Sequence, residues 1–363
     1  MLSAVTYVPV LARDHLGISE LMITFIVGAY ATASFIASYL FGRAGDIYGR
    51  RVIIRLGLLL STLSFALLLV SSTFEILLIV RIANGFCIGI YPGALAAYAY
   101  ESKMKMGRFA TWGAIGWAIG TFFAGYAAGF NIYYAFVMST IFLIFAFSSS
   151  LTLPKVSRIR VNVPLFPVET FKKNIHVYLA MLLRHSSAAA IWTLWPLFLI
   201  SIGATPLTIA IVQVTNSIAQ VLFMVALTDR LESKTLVALG LIGSAITFAS
   251  FPLARNVLEV LPSQVLLGFS WACLYVGSLK YVTDNNDDRS TASGLLTSIM
   301  SLSGAIGPIF AAVIYSIIPG YVPIMFFAVF MSILSFAIFW YNTHKKSYIE
   351  SLLKPDSFLL DSE

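Results

Sequence analysis

Two arginines and a histidine lie where charge is costly. Arg81 is six residues inside an apolar stretch running 75–99, and Arg184 is eight inside another running 176–201, with His185 directly after it. A basic side chain at the centre of a membrane helix costs about 2.5–3.5 kcal/mol on insertion scales. Each arginine therefore calls for a partner, a water-filled cavity or an anionic solute. Arg81 is nearer an end and can also extend its head toward the interface. An unperturbed pKa of about 6.5 makes His185 a candidate proton carrier, with a packing histidine as the alternative. No Asp or Glu lies near the middle of any complete apolar stretch, so coupling through a carboxylate has no support.

Other chemistries are not written here. The four histidines (15, 176, 185 and 344) are scattered. Cys87 and Cys273 sit in apolar stretches without metal-ligand or disulfide spacing. There is no phosphate-cradling G-x-x-x-x-G-K-[ST] loop. The reading is no enzyme, no metal and no cofactor.

Helical spacing gathers the polar residues into stripes. Arg81, Asn84, Tyr91 and Tyr98 share one face, and Arg184, Trp192 and Trp195 another. Gln213, Asn216 and Gln220 form a third, and Gln264, Gly268, Trp271 and Tyr275 a fourth. A face turned to lipid would not carry amides and arginine. The expected substrate cavity is lined by Arg81, Asn84, Tyr91, Arg184, His185, Trp192, Gln213, Asn216, Gln220, Trp271 and Tyr275. For the aromatics, ordinary packing or an interfacial belt is the alternative.

The elements that hold these residues must be membrane helices. Of 363 residues, 59% are hydrophobic and 11% charged, against roughly 25% charged in a soluble domain. Apolar spans read at 20–41, 52–72, 75–99, 111–129, 131–152, 176–201, 206–227, 236–254, 257–282, 291–318 and 321–341. A shorter stretch at 2–12 falls below the roughly 17–25 residues needed to cross, so the first helix reads as N-terminally incomplete. Of the 23 Lys and Arg, 19 fall on one side of alternating spans. They lie in the loops around Arg50, Lys105, Arg158, Arg230 and Arg289 and in the tail with Lys345. Cytoplasmic loops carry that excess, which places the central loop and C-terminus in the cytoplasm. The net charge of +7 is thus a topology signal and implies no nucleic-acid partner.

The chain repeats itself. Asp46 and Asp229 stand 183 residues apart, as do Gly85-Phe86 and Gly268-Phe269. The expected organisation is an all-α protein with an N-terminal helical half (1–153), a cytoplasmic linker (154–175), a C-terminal half (176–341) and a tail (342–363). Two six-helix halves related by an axis along the membrane normal fit this order.

Gly42-Arg43-Ala44-Gly45-Asp46-Ile47-Tyr48-Gly49-Arg50-Arg51 matches G-x-x-x-D-x-x-G-R-[RK], and Arg81 to Gly89 fits R-x-x-x-G-x-x-x-G. Gly107 and Gly116 to Thr121 follow a fifth-helix pattern incompletely, with Trp117 and Thr121 in place of its Pro and Gly. With these residues the chain resembles the major facilitator superfamily. The resemblance implies a twelve-helix fold and a central cavity lined by the first, fourth, seventh and tenth helices. It also implies a gating cluster of Gly42, Asp46, Gly49, Arg50, Arg51 and Glu101, repeated at Asp229 and Arg230. Asp46 is expected to accept N–H bonds at a helix N-terminus and Arg50 to pair with Glu101. Gly113, Gly116, Gly120 and Gly125 are expected to pack a helix backbone to backbone.

The functional expectation is secondary transport of a small organic solute, with protons as a possible coupling ion. Two buried arginines and no central acids favour an organic anion. The alternatives are efflux of neutral or cationic compounds, or a non-transporting sensor-like or truncated protein of this fold. The expected setting is a monomer in the lipid bilayer of a plasma or inner membrane.

Overall fold

The computed structural model describes residues 7–155 and 163–353. Every long element within them is an α-helix. The order is α1 (Val8–Val10, running into a π-turn at Leu11–His15), α2 (Glu20–Tyr48), α3 (Arg50–Ala66), α4 (Phe74–Ile90), α5 (Pro92–Glu101), α6 (Met106–Ala128) and α7 (Ile132–Leu151). Then follow α8 (Val168–Ser201), α9 (Pro206–Ala226), α10 (Ser233–Ser250), α11 (Val257–Asp284), α12 (Arg289–Ile317) and α13 (Val322–Leu353). Eight described segments are long and apolar enough to cross a membrane, counting α4 and α5 as one.

Local chemistry sets the boundaries. Thr73 caps α4 on the N–H of Ile76, and Asn256 caps α11 on those of Leu258 and Glu259. Thr205 and Thr208 form a reciprocal capping box at α9. Pro92 begins α5 after a break at Tyr91, since it has no N–H to continue α4. Gly49, at φ 105°, is the whole connection between α2 and α3, a conformation that a Cβ would strain.

Three expected boundaries move. The loop read from residue 42 is helical to Tyr48, because Gly42 and Gly45 lie against α12 and Asp46 is fully buried. The linker read to residue 175 gives its last eight residues to α8. Asn174, buried there, exchanges 3.2 Å hydrogen bonds with Asn286. Residues 342–353 extend α13 instead of opening a tail. The rest of the tail, residues 156–162 of the linker and the start of the 2–12 stretch lie outside the described residues.

One apolar core is drawn from residues between Val8 and Leu143, and a second lies among α8 to α13 near the C-terminal end of α8 and the N-terminal end of α13. A third joins Ala96, Ala99, Met106 and Ala110 to residues between Val177 and Phe339. Lipid is as apolar as leucine, so close packing must hold such helices together. The tightest approach is between α2, α5 and α12. A Cβ on Gly294 would lie 2.6 Å from the Cα of Gly42, and one on Gly93 would lie 2.9 Å from the Cα of Gly294.

The small-residue face expected on α6 forms only in part, with Gly120 buried but Gly113 and Gly116 exposed. A Cβ on Gly113 or Gly116 would meet nothing within 4 Å, and one on Gly125 meets only the Tyr7 hydroxyl. Small residues permit close approach, but a neighbour must be there. α6 makes its close contact at its first turn, where Gly107 lies against Thr228 and Asp229 of the segment after α9.

Candidate functional site

Asp46 is in the last turn of α2, with no solvent exposure. Its Oδ2 accepts hydrogen bonds from the Thr291 N–H at 2.7 Å and the Thr291 hydroxyl at 2.5 Å, and its Oδ1 from the Ser290 N–H at 3.3 Å. These donors are the first turn of α12, where unpaired N–H groups and the helix dipole favour an anion. Arg50 completes the cluster. Its Nη2 lies 2.7 Å from Asp46 and 2.8 Å from Glu101, and its Nη1 donates to the Gly45 carbonyl at 2.8 Å. Arg51, next in the chain, is half-buried, and its Nε has no hydrogen-bond partner among the described residues. Next to this cluster, burial pushes the Asp288 carboxyl above the usual range, opposed by a hydrogen bond from Thr170.

A second carboxylate does the same on the repeat. Asp229 Oδ1 accepts the Gly107 N–H at 2.9 Å, at the first turn of α6. Ser290 and Gly107 are themselves 183 residues apart, so each repeat caps a helix of the other. Ser290 and Thr291 were not among the expected site residues, and that offset is the signal that finds them. Arg230 is exposed and enters no ion pair among the described residues. Further along the α2–α12 seam, Ser34 and Ser301 hydroxyls lie 3.1 Å apart. Beyond them, a Cβ on Gly28 or Gly304 would meet nothing within 4 Å.

The expected cavity residues divide into three groups. His185, Trp271 and Tyr275 form a continuous ring stack. His185 lies 5.2 Å from Trp271 at 24°, and Trp271 lies 5.6 Å from Tyr275 at 13°. All three are partly exposed. Behind them Arg184, only 2% exposed, donates from Nε to Ser244 Oγ at 2.9 Å and lies 5.4 Å from the Trp271 ring and 5.2 Å from that of Phe248. Arg184 therefore backs the stack from within α8, α10 and α11 and does not stand open on a wall. Its Nη2 and the His185 Nδ1 are buried without a hydrogen-bond partner among the described residues.

The second group is a chain of amides. Gln220 donates to Asn216 at 2.5 Å, and Asn216 donates to the main-chain carbonyl of Gln264 at 3.2 Å, while Gln213, a turn away, is exposed. Trp192 stands apart from both, packed edge-on against Trp195 and Phe251.

The third group is buried on α4. Arg81 is 1% exposed, Asn84 0% and Tyr91 8%, so a shared face there means a shared interior. The Arg81 guanidinium lies 4.0 Å from the centre of the Tyr30 ring of α2. Gly85 makes that approach possible, since a Cβ there would lie 2.2 Å from the Tyr30 carbonyl oxygen. Gly85→Ala is expected to separate α2 from α4 and lower stability by about 1–3 kcal/mol. Thermal unfolding of the purified protein reads this, and an unchanged midpoint would contradict the packing account.

The fold and these contacts can be set beside known proteins. The family model described as Major Facilitator Superfamily matches residues 1–175 and 177–356. The chain is 26% identical over 330 residues to the quinolone resistance protein NorA of Staphylococcus aureus (strain MRSA252), covering 85% of this chain and 84% of that one. It is 24% identical over 338 residues to the tetracycline resistance protein, class B, of Escherichia coli, covering 85% and 83%. The crystal structure of the human organic anion transporter MFSD10 (TETRAN) superposes with a TM-score of 0.73 at 16% identity, covering 87% of this chain and 83% of that chain. With a family model spanning both repeats and a shared fold, this chain is a multi-pass membrane protein that belongs to the Major Facilitator Superfamily.

Proposed function

We propose that this protein exports flat organic compounds by alternating access, and that it prefers an anionic or neutral polar group to a cationic one. The observation that carries the reading is the partly exposed His185–Trp271–Tyr275 stack with Arg184 behind it. Stacked rings offer a planar face, and a buried guanidinium beside it favours negative charge. The Asn216 and Gln220 amides, held on the Gln264 main-chain carbonyl, add hydrogen-bonding groups without charge. Among the described residues no acid lies at the centre of a span to receive a cation. Export is taken over uptake because two relatives are named for resistance to quinolones and tetracycline, and a carrier gives resistance by removing the compound.

In this reading the Asp46 and Asp229 contacts are the closed cytoplasmic gate. They fasten α2 to α12 and α6 to α9 while the opposite end, at Gly28 and Gly304, has room. Opening inward must break both.

The test is binding of a matched series: one planar aromatic carrying a carboxylate, its neutral amide and its amine. Tryptophan fluorescence of the purified protein gives the affinities. The carboxylate is expected to bind best and the amine worst. Trp271→Ala should weaken the carboxylate about fivefold, the scale of one lost aromatic contact of roughly 1 kcal/mol. Tightest binding of the amine would overturn the charge preference, and unchanged binding in Trp271→Ala would remove the stack as the site.

A further inference from the structure

Away from the ring stack, α4 holds a group of buried polar atoms that no described residue satisfies. Arg81 Nε and Nη1 have no hydrogen-bond partner, and neither does Asn84 Nδ2 or Oδ1. The two side chains are three residues apart and share a helix face, and they are 1% and 0% exposed. Buried polar atoms in folded proteins are nearly always bonded, so four on one face point to something that occupies it.

The donor set defines the occupant. Arginine stays protonated in proteins and only donates. Its charge here meets no carboxylate: no ion pair among the described residues includes Arg81. The nearest acid along the chain, Glu75, is exposed at the start of α4. Tyr30 covers the flat of the guanidinium at 4.0 Å and leaves its edge, where the N–H groups point. The Asn84 amide adds donors beside that edge. Donors from a fixed cation and an amide, with no counter-charge, suit an anion. Asn84 Oδ1 cannot face an anion, so it takes a hydrogen bond from a water in the anion's shell. Near-complete burial sets the size, because no organic tail could pass. The repeat supports a built position, since Gln264, 183 residues after Arg81, also buries an unpartnered amide nitrogen, Nε2.

We propose that Arg81 and Asn84 bind one small monovalent anion of halide size, between α2 and α4 and separate from the ring stack. The anion neutralises Arg81 and ties α2, whose far end carries Asp46, to α4, which α5 continues to Glu101.

The experiment is thermal unfolding of the full chain in detergent at constant sodium, with chloride exchanged for gluconate, which is too large for the site. Wild type is expected to gain about 2–4 °C, saturating with chloride, as for a ligand that binds only the folded state. Arg81→Gln should lose the gain. Asn84→Ala should keep Arg81 and need several-fold more chloride for half the effect, and it decides the matter if Arg81→Gln does not fold. Equal melting of wild type in chloride and gluconate would overturn the proposal. So would a chloride response unchanged in Arg81→Gln, or in Asn84→Ala where only that variant folds. A gain with a planar carboxylate that Arg81→Gln abolishes, but chloride does not reproduce, would instead give the position to the solute and overturn the halide assignment. Binding at Trp271 does not depend on any of these outcomes.

Discussion

Asp46→Ala is expected to open the gated end of the bundle and cut transport by about 100-fold. The carboxylate is fully buried and is the shared acceptor for Arg50, the Thr291 N–H and hydroxyl, and the Ser290 N–H. Removing one partner of a buried ion pair typically costs about 3–5 kcal/mol. Here that cost falls on the state in which α2 and α12 are fastened. A shift of that size moves an equilibrium by two or more powers of ten. Arg50 keeps Glu101 at 2.8 Å, so the helix ends should stay folded. Spin labels at Tyr48 and Asp287, both exposed, would report the distance across the seam once Cys87 and Cys273 are replaced by alanine. The distribution is expected to lengthen and broaden. Asp46→Asn, which keeps an acceptor and loses the charge, should lie between and impair turnover more than substrate binding. Wild-type distances in Asp46→Ala would remove the gating role.

Gly294→Val should reach the same state by repulsion, with Asp46 untouched. A Cβ on Gly294 meets the Gly42 Cα at 2.6 Å and the Ser38 carbonyl oxygen at 2.7 Å, both backbone atoms. No rotamer relieves such a contact, so α2 and α12 must part. Overpacking of this kind costs about 1–3 kcal/mol, again only in the closed state. Ser34→Cys with Ser301→Cys places two thiols where hydroxyls lie 3.1 Å apart. That pair should oxidise readily in the parent and slowly or not at all with Gly294→Val. A cross-link formed at the parental rate would mean that the seam is not the moving part. Agreement between the two variants would separate a mechanical gate from a purely electrostatic one.

The same residues show how far local pattern reaches. Asp46, Arg50 and Glu101 could be grouped from a motif and from the side of the membrane on which they fall. Which helix start Asp46 caps could not be read from local pattern, since Thr291 lies 245 residues away, and the repeat offset points to it only once the Asp229–Gly107 contact is known. Helical spacing put Arg184, Trp192 and Trp195 on one face, and all three meet the span of α10 and its continuation, at Ser244, Phe248 and Phe251, a neighbour that the spacing did not name. A stripe gives a direction about one helix axis and says nothing of the neighbour it meets. The α6 glycines teach the same lesson, because Gly113 and Gly116 have the residue type for close packing and no helix opposite.

The sequence by itself determined that the chain is a bundle of membrane helices built as two repeats. Hydropathy over some 20 residues and the 183-residue offset are properties of the chain alone, and lipid leaves the backbone almost no alternative to a helix. It also determined which side chains are too polar for lipid. Only the tertiary structure decided what those side chains meet. Whether Arg81 is buried over Tyr30, whether Trp271 stacks on His185, and which helix dipole each aspartate caps all depend on helix rotation and on contacts between distant segments. Between membrane helices these are fixed by close packing and buried hydrogen bonds, which no single stretch of sequence contains.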